Sequence, residues 1–335
     1  MKRLMPVVVL LTAAFIVGCE NDPTGVTEGT SAIFKKGGGG KPPGDGGGGS
    51  TLNPEIAFHA NGAMLVMNRD GSTRTEILRN DCSHSESSWA PTGDGTADDP
   101  YLIINFAVCS PMRVASFDTV TGTINVQTST EIHVVGSSDT NRFGAPAWAP
   151  GAGLEIALGG SRLNAATNEW EDAIYVIATA DLPNPTPELV YEPPLVCGVD
   201  SPTWNRDGSG IAFREVCPGS GQRILLADRA SGSITVVVPV GIFDEISTFD
   251  WARTADVLAV TSSVPTRRGS EPTVFLLDLA GGTPQRLVSG FGPTWSPDDT
   301  RLALHSGSKR KVRTIDVLSG DISALGSGEL PDWRH

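Results

Sequence analysis

Pro293-Thr294-Trp295-Ser296-Pro297-Asp298 is the phrase from which the fold can be read, because its tryptophan returns along the chain in the same local frame. Earlier copies are Ser88-Trp89-Ala90-Pro91, Ala147-Trp148-Ala149-Pro150, Pro202-Thr203-Trp204-Asn205-Arg206-Asp207-Gly208 and Asp250-Trp251-Ala252-Arg253. A sixth, Pro331-Asp332-Trp333-Arg334, lies at the end of the sequence, and of the seven tryptophans only Trp170 stands outside the frame. Residues 54–335 hold six such periods of about 47 residues, the length at which a repeat is one supersecondary unit of a larger array.

Shortly after each tryptophan comes a brief apolar run, usually centred on alanine: Ile156-Ala157-Leu158, Ile211-Ala212-Phe213, Leu258-Ala259-Val260 and Leu302-Ala303-Leu304. In the second unit an insertion at residues 96–100 delays it to Leu102-Ile103-Ile104. A longer alternating run follows, as in Thr273-Val274-Phe275-Leu276-Leu277-Asp278, then a turn such as Gly281-Gly282 and a final run, Gln285-Arg286-Leu287-Val288. Four short strands per unit joined by hairpins is the pattern of a propeller blade. The predicted fold is therefore all-β, a six-bladed β-propeller of four-stranded antiparallel blades. A content of 39 Gly and 24 Pro with 19% charged residues agrees with a turn-rich β protein rather than a helical bundle.

The two ends predict how the ring closes. Glu55-Ile56-Ala57-Phe58, residues 63–69 and residues 75–78 read as second, third and fourth strands without a first, while Pro331 to His335 reads as a first strand alone. Together they make one composite blade, which removes the exposed edge an open array would leave. The Pro-x-Trp-Ser-Pro-Asp phrase resembles the TolB-like six-bladed propeller family over residues 54–335. Members of that family include periplasmic binding modules and the propeller halves of serine peptidases, so the resemblance implies a fold and not an activity.

Ahead of the propeller the chain reads differently. Lys2 and Arg3 precede an apolar stretch, residues 7–17, too short to cross a bilayer core of about 30 Å, which is the pattern of a secretory leader. Gly18-Cys19 resembles the lipobox of bacterial lipoproteins, which implies cleavage after residue 18 and a diacylglycerol group on Cys19. Residues 19–53, with Gly-Gly-Gly-Gly twice around Lys41-Pro42-Pro43-Gly44-Asp45, cannot bury a core and read as a disordered tether. The expected organisation is a signal peptide at 1–18, the lipidated Cys19 with its tether to 53, and a propeller over 54–335.

Four cysteines remain in the propeller. Cys82 and Cys197 each lie seven residues before a tryptophan, in the loop leading into a blade, and Cys109 and Cys217 follow the second strands of the same two blades. In an up-and-down blade those positions share one face of the disc. Export to an oxidising compartment then favours disulfides Cys82–Cys109 and Cys197–Cys217.

The charge, 25 basic against 38 acidic residues, gives −13, or −15 once Lys2 and Arg3 leave with the leader, and disfavours nucleic acid as a partner. Against this background Arg267-Arg268 and Lys309-Arg310-Lys311 fall between second and third strands of adjacent blades, a candidate binding patch for an anionic partner. His59 and His305 occupy matching positions in adjacent blades, but two ligands without a carboxylate are an incomplete metal site. Asp94, Asp98 and Asp99 in the second-blade insertion do not have the spacing of a calcium loop. Neither Gly-x-Ser-x-Gly, His-Glu-x-x-His nor a nucleotide-binding glycine loop is found, so no catalytic residue, metal or cofactor is assigned. The expected function is that of a monomeric, non-enzymatic binding or scaffold lipoprotein. It would face the periplasm or exterior, hold to a bacterial membrane through its lipid anchor, and meet an envelope protein or polymer. The alternative is a metal-dependent hydrolase or lyase with its site in the central channel.

Overall fold

A computed structural model describes residues 53–334, apart from 80–84, 108–109, 122, 137–140, 152–154, 165, 195, 268 and 307–309. Twenty-four strands form six antiparallel sheets of four. Blade 1 is the composite one: Glu329–Trp333 pairs with Pro54–Ala60, which is followed outward by Ala63–Asn68 and Thr75–Arg79. The closing register sets Trp333 opposite Ile56 and Asp332 opposite Ala57, and the Arg334 N–H donates to the Glu55 carbonyl at 2.7 Å. Blades 2 to 6 then follow in chain order, so the ring expected from the two ends is the ring observed.

The repeated tryptophans and alanines form the packing seams. Each of the six framed tryptophans is at most 8% exposed, and each sits in an apolar cluster built from two neighbouring blades. In five seams the ring faces the small residue of the preceding blade's second strand: Ala57 with Trp89, Ala157 with Trp204, Ala212 with Trp251, Ala259 with Trp295, Ala303 with Trp333. In the seam between blades 2 and 3 Ile104 takes that place beside Trp148. Alanine recurs there because blades radiate from an axis and the wedge near the centre has room for one large ring and one small partner. An indole buries roughly 200 Å², worth about 5 kcal/mol of apolar transfer per seam.

In two of the repeats the turn after the tryptophan is built by an aspartate. Asp298 Oδ1 accepts from the Ser296 hydroxyl at 2.7 Å and from the Thr300 N–H and hydroxyl at 3.2 and 2.8 Å, and Asp207 does the same for Ser209 at 2.9 and 2.6 Å. The aspartate is therefore an Asx-type turn former, which explains its place in the repeat without any catalytic role.

Candidate functional site

The residue before each tryptophan lines the axis, and at every such position but Ala147 its side chain links one blade to the next. The Trp148 N–H donates to Ser88 Oγ at 2.8 Å, the Trp295 N–H to Asp250 Oδ2 at 2.8 Å, the Trp333 N–H to Thr294 Oγ at 3.4 Å, and the Trp89 N–H to Asp332 Oδ2 at 3.2 Å. Three indole N–H groups donate to the backbone of the preceding blade, at Asp332, Ala147 and Asp250. Around the channel the inner strands are thus joined by hydrogen bonds that replace the ladder a continuous sheet would have supplied.

Two of these positions are carboxylates. Asp250 also accepts from Thr203 Oγ at 3.3 Å and pairs with Arg253 at 3.2 Å, whereas Asp332 accepts from the Thr294 hydroxyl at 3.3 Å and from the Trp89 N–H. Burial first, then the nearby charge of Asp250, pushes the Asp332 carboxyl up to about 8, against the opposing pull of Arg253 and its own hydrogen bonds. The site thus favours the protonated form of the Asp332 carboxyl. The sequence shows both aspartates in the frame, but only the closed ring brings blades 1 and 5 to one channel and reveals this pair.

Four inner strands bend at the residue three before the tryptophan. Ala145, Ser201 and Leu330 have φ of 47°, 53° and 48° there, and Gly292 has 63°. Each bend coincides with a register shift in the pairing of first and second strands, the mark of a bulge.

One histidine serves such a bend and the other bridges a neighbouring seam. His305 Nδ1 accepts the Leu330 N–H at 3.4 Å across the seam between blades 6 and 1, and its ring lies 5.2 Å from that of Phe291. His59 Nε2 meets the Asn105 amide at 3.4 Å across the seam between blades 1 and 2, and that amide also donates to the Glu86 carbonyl at 3.2 Å. Both histidines are buried, and burial lowers each to about 4, with the Arg310 charge adding to the effect at His305. They are neutral interblade acceptors flanking the composite blade. Asp94, Asp98 and Asp99 lie in a turn in which the Asp94 and Gly95 N–H groups donate to the Asp99 carbonyl at 3.1 and 3.0 Å, and whose Gly95 carbonyl accepts the Thr119 N–H at 2.9 Å. Among the described residues no group of three or more His, Cys, Asp or Glu is arranged to hold a metal ion.

On the face bearing the turns between second and third strands, the channel mouth opens into a trough over blades 2 to 4. The channel cavity, about 170 Å³, shares Glu86 and Ala145 with a second of about 510 Å³, which shares Trp170 and Asp172 with a third of about 1100 Å³. Trp170, the tryptophan outside the repeat frame, stands between the outer two and is 44% exposed. It is carried on a hairpin of two ten-residue strands, Glu155–Asn164 and Glu169–Ala178, longer than the six-residue pair of blade 6.

The disulfide Cys197–Cys217 is present and ties the trough's outer wall to blade 4. Cys82 and Cys109 lie outside the described residues, as do Cys19, Arg268 and Lys309. Arg267 sits in the turn after Val257–Thr266, Arg310 in the turn before Lys311–Asp316, and Lys311 opens that strand, all exposed and in adjacent blades. Arg310 is drawn to Glu329 of the closing strand at 3.5 Å.

No family model matches the chain and no curated protein does. Among solved structures it is similar to TolB from Acinetobacter baumannii, at 14% identity over 85% of this chain and 67% of that one, with a TM-score of 0.59. A candidate TolB from Agrobacterium tumefaciens matches at 14% identity, 82% and 92% coverage and 0.55. A chain of the nidogen/laminin complex matches at 9% identity, 84% and 99% coverage and 0.56. The fold is therefore that of a TolB-like six-bladed propeller. At these identities the likeness is one of architecture, and function has to be argued from the face itself.

Proposed function

We propose that this chain is an exported, lipid-anchored, non-enzymatic propeller that binds a macromolecular partner of the cell envelope through one face of its disc. The observation that carries this reading is the trough: a concave strip running outward from the channel mouth, with an exposed tryptophan on it and a disulfide in its wall. A rigid face of that kind suits capture of an extended partner. The channel carboxylates, by contrast, spend their oxygens on Trp N–H and threonine hydroxyl groups of neighbouring blades, which argues for a structural use of the residues a channel metal would need. The Cys197–Cys217 bridge fits an oxidising compartment, and Gly18-Cys19 supplies the anchor.

Metabolic labelling with a tagged fatty acid tests the anchor: wild type takes the label and Cys19→Ser does not, and equal labelling of both overturns the lipoprotein reading. Metal analysis of the purified protein tests the rest, since stoichiometric tightly bound metal would favour the hydrolase or lyase reading.

A further inference from the structure

The trough has a chemistry of its own, distinct from the basic tips of blades 5 and 6. Six carboxylates line its two outer cavities, those of Glu86, Glu169, Glu171, Asp172, Glu192 and Asp200, and among the described residues no lysine or arginine joins them there. Among the described residues, two guanidiniums pair with these carboxylates from outside the lining. Arg162 pairs with Glu171 at 2.8 Å and with Glu192 at 3.7 Å, and Arg214 holds Asp200 at 2.7 Å. Among the described side chains carboxylates outnumber guanidiniums, which leaves a concave strip whose field attracts cations and repels anions. Glu86 shows the crowding directly: its side chain is open to channel water, yet protein on most sides and the charge of Asp200 raise its pKa.

The strip is apolar as well as acidic. Trp170 and Val196 expose 44% and 78% of their surface there, beside Phe106, Phe143 and Tyr191. A partly exposed indole among carboxylates adds apolar surface to the acidic strip. The walls are fixed before any ligand arrives. The Tyr191 hydroxyl donates to buried Glu215 at 2.6 Å across the seam between blades 3 and 4, Arg223 pairs with the other Glu215 oxygen at 2.6 Å, and Cys197–Cys217 pins the adjoining loop. A preformed strip avoids part of the ordering cost of binding.

We propose that this trough is the docking site for an extended peptide segment of a partner protein in which lysine or arginine alternates with apolar side chains. The proposal rests on the binding reading above and names the chemistry of the partner. A cationic, apolar segment satisfies both features of the strip. An anionic polymer is repelled by it, and a neutral glycan leaves its carboxylates unmatched. Arg267 and Arg310 lie on the same face in blades 5 and 6, and they turn the cationic end of such a segment toward blades 3 and 4.

The test is fluorescence anisotropy with the mature chain and labelled ten-residue peptides of alternating Lys and Leu, Glu and Leu, or Lys and Ser. The Lys-Leu peptide binds best, and its affinity falls as salt rises. Trp170→Ala, and separately the pair Glu169→Gln with Glu192→Gln, weaken it about tenfold or more, the glutamine pair also flattening the salt dependence. The pair Asp98→Asn with Asp321→Asn, exposed on the other face, changes it by less than about twofold. Equal binding of the Glu-Leu peptide, or an equal loss in the Asp98 and Asp321 variant, overturns the proposal. So does a preference for a peptide of residues 31–41, which carries Ile33-Phe34-Lys35-Lys36, because the trough would then clasp the chain's own tether. An envelope partner that binds wild type and trough variants alike defeats the trough while leaving the binding propeller standing; the absence of any such partner defeats the broader reading.

Discussion

Replacing Asp332 with asparagine should change how stability depends on pH more than it changes stability itself. Asp332 sits in the closing strand and receives the Trp89 N–H of blade 2 and the Thr294 hydroxyl of blade 6, so it touches both neighbours of the composite blade. Its carboxyl is raised from 3.8 to about 8 in the folded chain. A raised pKa means that the native state binds a proton the unfolded state has lost, so its contribution is complete below 3.8 and declines until the folded value is passed. His59 and His305 act in the opposite sense: lowered from 6.5 to about 4, they favour the fold above 6.5 and oppose it as pH falls toward 4. The two effects overlap below 6.5, but between 6.5 and about 8 the Asp332 slope stands apart from the histidines. At about 1.4 kcal/mol per pH unit, that window is worth on the order of 2 kcal/mol. Urea midpoints measured at half-unit intervals from pH 6.5 to 8.5, wild type against Asp332→Asn, read the difference directly. Wild type should lose stability relative to the variant across this range and run parallel to it above. Parallel curves throughout would show that Asp332 carries no proton in the native state and refute the reasoning.

Ala147 is the position before a framed tryptophan that has no side-chain acceptor, so Ala147→Ser should add the link that Ser88 makes to Trp148 and raise stability by roughly 1 kcal/mol, seen as a higher urea midpoint. Non-reducing peptide mapping of exported protein should recover Cys197 joined to Cys217, and Cys82 joined to Cys109; a bridge between blades 2 and 4 would contradict the placement of the loops.

The architecture was legible because one residue type carries each seam. A framed tryptophan, and in four of the units an alanine at the centre of the next run, reports a wedge that only a ring of blades creates, and the orphan strands at either end report its closure. The face was less legible. Glu86, Trp170 and Asp200 lie in three different blades and more than a hundred residues apart at the extremes, and no local spacing connects them. One signal was present: Trp170 breaks the frame, and a tryptophan that fills no seam has to be used elsewhere. Asp250 and Asp332 also stood in plain view, but their effect on each other depends on the distance across the channel, which the repeat alone does not contain. The histidines were correctly aligned with each other by register, while their partners, the Leu330 N–H and the Asn105 amide, come from the neighbouring blades.

Everything argued for the face presumes that the composite blade locks the ring. Deletion of residues 329–335 removes Trp333 from its seam, Asp332 from both neighbours and the partner strand of Pro54–Ala60. Unfolding of that truncated chain, followed by tryptophan fluorescence and far-ultraviolet circular dichroism in urea, measures the consequence. The account predicts loss of the single cooperative transition, with the two signals separating and the midpoint falling. A truncated chain that unfolds in one transition at the wild-type midpoint would contradict it.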